Sequence, residues 1–250
     1  MNTSIIRGVL CDIGGVLYEG DTPYPGAVEA VARLKARYPV RFLTNTTQKT
    51  GAEVVAKLQR MGFAITASEV ITALDVTKAY LTERQSRATF LLTDAAEAFF
   101  DDLPDAPCRC VVVGDAQENF TYTRFNEAFR TLMEGGELLA AAKNRYFKDH
   151  GGRLSMDAGG FVAALEYASG KTATVIGKPS SAFYRLACAQ MGITPEAAVM
   201  IGDDVESDVG GAQAAGLQGI LVETGKYAPA DLARGITPDA VFPSLAAISL

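Results

Sequence analysis

The chain has 250 residues, 48% of them hydrophobic, enough apolar side chains for the core of one large domain or two small ones. Its 29 acidic residues outnumber 23 basic ones, giving a formal charge of −6 and a pI near 4.9, which argues against a general nucleic-acid or membrane-surface binder. No apolar run approaches the ~20 residues of a spanning helix, and Arg7 and Asp12 interrupt the first apolar stretch too early for a signal peptide. A single histidine, His150, leaves nothing for a multi-histidine metal site or a serine–histidine triad. Of the four cysteines only Cys108 and Cys110 are close, so neither zinc nor a disulfide framework is expected, and a reduced cytoplasm fits.

Taken in chain order, apolar runs of strand length alternate with segments of helical period. Strands are predicted at IIRGVLCD (5–12) and VRFLTN (40–45), with PGAVEAVARLKARY between them as a helix whose Pro25 stands at the first helical position. A second helix follows Asn45, where Thr50 and Glu53 have the spacing of a capping box. The middle of the chain repeats the pattern, with strands at ATFLLTD (88–94) and RCVVVGD (109–115). A helix carrying Phe125, Ala128, Phe129, Leu132 and Met133 on one face comes next, then ELLAAA (137–142). Further strands are predicted at TATVIG (172–177), AVMIGD (198–203) and QGILVE (218–223). Such alternation indicates a parallel sheet covered by helices. The middle block, 79–171, has elements for a small core of its own and reads as a domain inserted into one made of 1–78 and 172–250.

Four strand ends carry chemistry. Asp12, Thr44-Asn45, Gly177-Lys178 and Gly202-Asp203-Asp204 each stand where a predicted parallel strand stops. In open α/β sheets those ends share one edge, and ligands bind in the crevice there. Carboxylates, a hydroxyl, an amide and an ammonium would meet, and helices starting after Asn45 and Lys178 would add N-terminal amides that favour an anion such as phosphate. Carboxylates repel phosphate unless a hard cation stands between them. Mg²⁺ suits that place, because it takes oxygen ligands and keeps water and phosphate in its shell. Each signal alone is an ordinary turn residue, helix cap or solvated lysine; the information lies in four together, in order.

Other features carry less. Gly170-Lys171-Thr172 ends like a P-loop, but the glycine required five residues before Gly170 is Leu165. Cys11 and Cys188 sit in apolar settings and read as core thiols rather than nucleophiles. Between 143 and 153, Lys143, Arg145, Lys148 and Arg153 stand against Asp149 alone. That cluster reads equally as a receiver for an anionic substrate and as a solvated hairpin. SMDAGGF (155–161), with two glycines, reads as a specificity loop.

In order and spacing, DIGGVL, LTNTT, GKP and GDDVESD resemble the four motifs of the haloacid dehalogenase superfamily of phosphatases. A domain inserted between the second and third motifs resembles the NagD-type subfamily with a large α/β cap. The likeness runs over nearly the whole chain. It implies a Rossmann-like, doubly wound parallel-sheet core with an α/β cap over its strand edge. It also implies a Mg²⁺-dependent phosphatase of small phosphorylated substrates, cytoplasmic, with a homodimer left open. Carried onto matching positions, it makes Asp12 the nucleophile that becomes an aspartyl phosphate, and a metal ligand as well. Gly14 lends its backbone carbonyl to the metal, Thr44 and Asn45 bind phosphate, and Lys178 neutralises nucleophile and phosphate. Asp203 ligates the metal, Asp208 belongs to the metal site by holding either a metal-bound water or Lys178, and Asp204 supports them from outside the ligand shell.

The chain departs from that pattern at Gly14, where the family places a second aspartate that protonates the leaving group and then activates water. General acid–base help of this kind is worth about 10²–10⁴ in rate, roughly 3–5 kcal/mol of barrier. Glycine cannot supply it. An alkyl ester leaves as a poor alkoxide and needs the proton. Imidazole, whose conjugate acid has a pKa of about 6.5, leaves far more readily; a phospholysine nitrogen can be protonated beforehand, and pyrophosphate leaves as a metal-stabilised anion. The glycine therefore favours P–N and P–O–P bonds over sugar or nucleoside monophosphates. Two other readings fit it. A dehalogenase uses the aspartate without this acid, but needs no Mg²⁺ and leaves Asp203 and Asp208 unexplained. A pseudo-enzyme would keep the phosphate pocket and lose rate.

Overall fold

The computed structural model describes residues 3–148 and 153–250; Asp149 and His150 lie outside the described residues. The first part of the chain forms β1 (Gly8–Asp12), a hairpin of β2 (Tyr18–Glu19) and β3 (Thr22–Pro23), α1 (Ala27–Arg37), β4 (Val40–Thr44), α2 (Gly51–Arg60) and β5 (Val70–Thr72). There follow α3 (Ala73–Glu83), β6 (Arg87–Leu91), α4 (Asp94–Ala98), β7 (Cys108–Val113), α5 (Tyr122–Met133) and β8 (Glu137–Ala140). Next come β9 (Tyr146–Lys148), β10 (Leu154–Met156), α6 (Ala158–Ser169) and β11 (Thr174–Val175). The chain ends with α7 (Ser181–Gln190), β12 (Ala198–Gly202), a π-helical turn at Val205–Gly210, α8 (Gly211–Ala214), β13 (Gln218–Val222) and β14 (Ala240–Phe242).

Two compact units result: one contains the chain up to Thr44, Gly51–Ile71 and Lys178–Leu250, the other Asn45–Thr50 and Thr72–Gly177. The sheet of the first runs β14-β13-β12-β1-β4-β5. β1 lies parallel to both β4 and β12, and β12-β13-β14 continue in parallel register. From β1 the chain builds outward through β4 and β5, then returns to build the other side from β12. The order reverses between β1 and β12, which is the topological switch point where the carboxyl ends of an open α/β sheet leave a crevice. Every residue of β1 and β12 is buried, as expected of central strands covered on both faces. Helix α1 buries Ala27, Ala30, Val31 and Leu34, an i, i+3, i+4, i+7 stripe, against Val9, Cys11 and Phe42 in one core cluster. Emptying Phe42 to alanine there costs about 3–5 kcal/mol. β1 is thus a rigid base for Asp12.

The second unit has a parallel sheet β11-β8-β7-β6 and a core of Leu91, Val111, Val113, Ala128, Leu132, Leu138, Val162 and neighbours. Three sequence expectations are corrected. The strand predicted at 172–177 shrinks to Thr174–Val175 and pairs with β8 instead of joining the first sheet. Pro25 precedes α1 rather than opening it: Gly26, with φ 74°, is the N-cap, and helix starts at Ala27. SMDAGGF is not a loop, because Leu154–Met156 is a strand and the Asp157 carboxylate accepts from the Ala158 N–H to start α6. Residues 146–148 and 154–156 pair as antiparallel strands, and Lys143 is held by Glu166 at 2.7 Å. Among the described residues no helix is long and apolar enough to cross a membrane.

Candidate active site

Asp12 is the last residue of β1, and Asp203 follows the last residue of β12, so both stand at the switch point. Asp208 arrives from the π-helical turn. There Asp204 is the N-cap, its Oδ1 accepting from the Glu206 N–H at 3.0 Å and the Ser207 N–H at 2.9 Å. The Asp204 carbonyl receives both Asp208 N–H and Val209 N–H. This wider turn carries the Asp208 side chain inward, and Tyr184 pins it by donating its hydroxyl to the Ser207 carbonyl. Gly202 is needed beneath it, since a Cβ at 202 would fall 2.2 Å from Asp208 Oδ2.

One carboxylate oxygen each from Asp12, Asp203 and Asp208 lies within 4.8 Å of the other two. Lys178 bridges two of them, with Nζ 2.5 Å from Asp12 Oδ1 and 2.6 Å from Asp208 Oδ1. These four residues are only 1–8% exposed. Burial alone would pull the Lys178 ammonium down, but Asp12 and Asp208 outweigh it and hold it well above the ordinary lysine range. Asp203 has no such cation. Burial first, then the Asp12 and Asp208 charges, push its carboxyl up to about 8, against the weaker pull of the Lys226 N–H and charge. Asp208 rises to about 6, chiefly through burial, with Lys178 opposing. The cluster carries more negative charge than its lysine neutralises. A donor set of carboxylate oxygens with excess negative charge fits a hard dication.

Asp203 is fixed from outside as well. Its Oδ2 accepts from the Lys226 N–H at 2.7 Å, and Lys226 Nζ lies 3.6 Å from Asp204 Oδ2. Gly15 (φ 81°) and Gly225 (φ 61°) flank the same oxygen so closely that a Cβ would stand 2.1 or 2.0 Å from it. Thr224 Oγ1 donates to the Gly15 carbonyl at 2.5 Å, and the Gly225 N–H donates to the Tyr24 hydroxyl at 3.1 Å. The loop after β1 and the loop after β13 are therefore latched around one carboxylate. Lys226, Thr224 and Gly225 were missed by sequence reasoning, although ETGKY also follows a strand end.

Thr44 closes β4, the strand beside β1. Asn45 follows it and is the first residue assigned to the second unit. Gly14 is exposed, lacks a positive φ, and has nothing within 4 Å of where a Cβ would stand. The cysteines are core groups: Cys11 donates to the Asp12 carbonyl, and burial raises its thiol well above the ordinary value. Burial likewise pushes Cys188 up to about 11.

Residues 9–103 match the family described as haloacid dehalogenase-like hydrolase, and 175–248 match its HAD-hydrolase-like companion. Human phospholysine phosphohistidine inorganic pyrophosphate phosphatase is 45% identical over 233 residues, spanning 90% of this chain and 86% of that one. The chain belongs to the haloacid dehalogenase-like hydrolases. The structure of 4-nitrophenylphosphatase from Thermotoga maritima superposes with a TM-score of 0.89 at 28% identity, covering 98% of this chain and 97% of that one. Glycerol phosphate phosphatase from Mycobacterium tuberculosis, in complex with magnesium, gives 0.87 at 26% identity over 98% of this chain and 77% of that one. This chain is a phosphatase of the same family. Relatives named for turnover speak for an enzyme and lend nothing to a ligand-binding pseudo-enzyme.

Proposed function

We propose that the protein is a Mg²⁺-dependent phosphohydrolase that works through an aspartyl phosphate on Asp12 and favours P–N and phosphoanhydride bonds. The observation that carries the reading is the buried Asp12–Asp203–Asp208 cluster with Lys178 bound to two of its members. Asp12, the Gly14 carbonyl and Asp203 would hold the metal; Asp208 gives Oδ1 to Lys178 and accepts the Asp204 N–H on Oδ2, adding charge and orienting the lysine. Asp204, capping the π turn, supports Asp208 from behind. When bound, Mg²⁺ offsets repulsion between carboxylates and phosphate and stabilises charge on phosphoryl oxygens. The glycerol phosphate phosphatase relative solved with magnesium supports that choice of ion.

Asp12 attacks phosphorus with a carboxylate oxygen. An O–P bond forms as the bond to the leaving nitrogen or oxygen breaks, and the leaving group keeps the electron pair. Lys178, held charged, orients Asp12 and meets negative charge on the phosphoryl group. Thr44 and Asn45 supply further hydrogen bonds to phosphate. Water then cleaves the acyl phosphate, returning Asp12 and releasing inorganic phosphate. With Gly14 in place of an acid, the leaving group must depart without a proton from that position, which an imidazole, a protonated amine or a phosphate can do and an alkoxide cannot. The human relative is named for phospholysine, phosphohistidine and inorganic pyrophosphate, which supports this reading.

The test is phosphate release from a phosphoramidate, pyrophosphate and an alkyl phosphate, with Mg²⁺ and with chelator. Release should need Mg²⁺, follow that order, and vanish in Asp12→Asn. Release that survives in Asp12→Asn would overturn the nucleophile.

A further inference from the structure

The carboxyl ends of the first unit's strands carry a second lysine. Lys226 lies in the loop after β13, the neighbour of β12. Its N–H donates to Asp203 Oδ2 at 2.7 Å, which anchors its main chain beside the metal-site carboxylates. Its side chain is 60% exposed, against 4% for Lys178. Among the described residues, Nζ makes no hydrogen bond and one loose ion pair, 3.6 Å from Asp204 Oδ2. That distance is beyond a hydrogen bond, so the three ammonium donors stay available. Asp204 in turn sits against the cluster, its N–H donating to Asp208 Oδ2 at 3.2 Å. Partial burial pulls the Lys226 ammonium down, but Asp204, then Asp12 and Asp203, outweigh it and hold it above the ordinary lysine value, with Lys178 opposing them.

Charge decides what such a cation can meet. Four carboxylates, Asp12, Asp203, Asp204 and Asp208, gather at this edge, and Mg²⁺ with Lys178 would leave one negative charge over. Lys226 offsets that charge from the solvent side. Asp204 is held without it, because its Oδ1 already accepts from two backbone N–H groups. Lys178 is bound to Asp12 and Asp208 and is assigned to the phosphoryl group being transferred. A ligand made of one phosphoryl group and a neutral amine or imidazole gives Lys226 nothing to hold. A ligand with a second phosphate brings further negative charge beside the first, and an ammonium with open donors is a phosphate binder.

We propose that the Lys226 ammonium receives the second phosphate of a phosphoanhydride, and so sets how well this site takes P–O–P against P–N bonds. The anion site stands on Lys226 and its neighbours; its use in turnover rests on the phosphatase reading above. In that use the bridging P–O bond breaks, the departing phosphate keeps the oxygen and its electron pair, and Lys226 keeps its proton while meeting the new charge. The full-length protein, at fixed free Mg²⁺, is titrated by calorimetry with methylenebisphosphonate and with methylphosphonate, whose P–C bonds resist hydrolysis. Wild type, Lys226→Met and Lys226→Arg are compared. Wild type should favour the bisphosphonate, Lys226→Met should shrink that preference at least about fivefold, and Lys226→Arg should keep most of it. No preference in wild type, or one untouched by Lys226→Met, overturns the site. The side chain is exposed and the N–H to Asp203 is kept, so both variants should fold. No turnover is read in this arm, so a failed phosphatase assignment would leave its outcome unchanged. In a second arm, Lys226→Met should lower kcat/KM at least about tenfold more for pyrophosphate than for a phosphoramidate. Equal losses on both would overturn the use of Lys226 in turnover.

Discussion

Restoring a carboxylate at Gly14 separates a missing acid from a dead site. The backbone permits it: Gly14 lacks a positive φ and a Cβ there would meet nothing within 4 Å. Gly14→Asp is thus an exposed substitution without steric cost, and any stability it loses without metal comes from its charge beside the carboxylate cluster. Asp12, Asp203 and Asp208 already stand within 4.8 Å of one another, so a carboxylate two residues after Asp12 would add to the negative charge at this strand end. Like charges raise a carboxyl's pKa, which suits a group that must first donate a proton. If it donates well, kcat/KM on an alkyl phosphate should rise by up to about 10²-fold, close to 2.7 kcal/mol of barrier. A phosphoramidate should gain little, because its leaving group does not wait for that proton. The assay is kcat/KM for both substrates at saturating Mg²⁺, with melting temperature and Mg²⁺ affinity confirming an intact variant. Equal gains on both substrates, or none on the ester in a protein that still folds and binds Mg²⁺, would refute the leaving-group argument.

Gly15→Ala should strain the latch, since its Cβ would lie 2.1 Å from Asp203 Oδ2 at φ 81°. We expect about 1–3 kcal/mol lost in urea unfolding and weaker Mg²⁺ binding by calorimetry. Asp203→Asn removes a buried charge, so it should cut Mg²⁺ affinity at least about tenfold while stabilising the metal-free protein near pH 8. Metal-free stability should itself fall between pH 5 and 8. The folded carboxyls of Asp203 and Asp208 titrate near 8 and 6, above their unfolded value of 3.8. The folded state therefore holds more protons in that window, and raising pH favours unfolding. Thermal melts with chelator should show that decline and melts with Mg²⁺ should reverse it; a chelated protein that gains stability up to pH 8 contradicts the crowding of carboxylates.

The residues of the site were legible where they close fully buried strands. Asp12 closes GVLCD and Asp203 follows AVMIG, five-residue buried strands whose apolar run and polar stop can be read without coordinates. Lys178 was found for a partly mistaken reason. An apolar run such as TATVIG has the same pattern whichever sheet it joins, and its pairing with β8 is a tertiary fact. Asp208 was recognised by its place in GDDVESD, but the π turn that brings it to Lys178 leaves no mark in hydrophobic period. Thr224, Gly225 and Lys226 escaped because their parts are backbone amides and close approaches around Asp203, which residue types do not announce. β5 and β14, three residues each, are too short for a periodic signal.

The central claim is that Asp12 carries the phosphoryl group. Mixing the Mg²⁺-loaded protein with a phosphoramidate, quenching in acid within one turnover and mapping peptides by mass spectrometry tests it directly. The account predicts one added phosphoryl group on the peptide containing Asp12, absent in Asp12→Asn and discharged by hydroxylamine. Phosphate release with the label on another residue, or with no labelled peptide at any quench time, would contradict it.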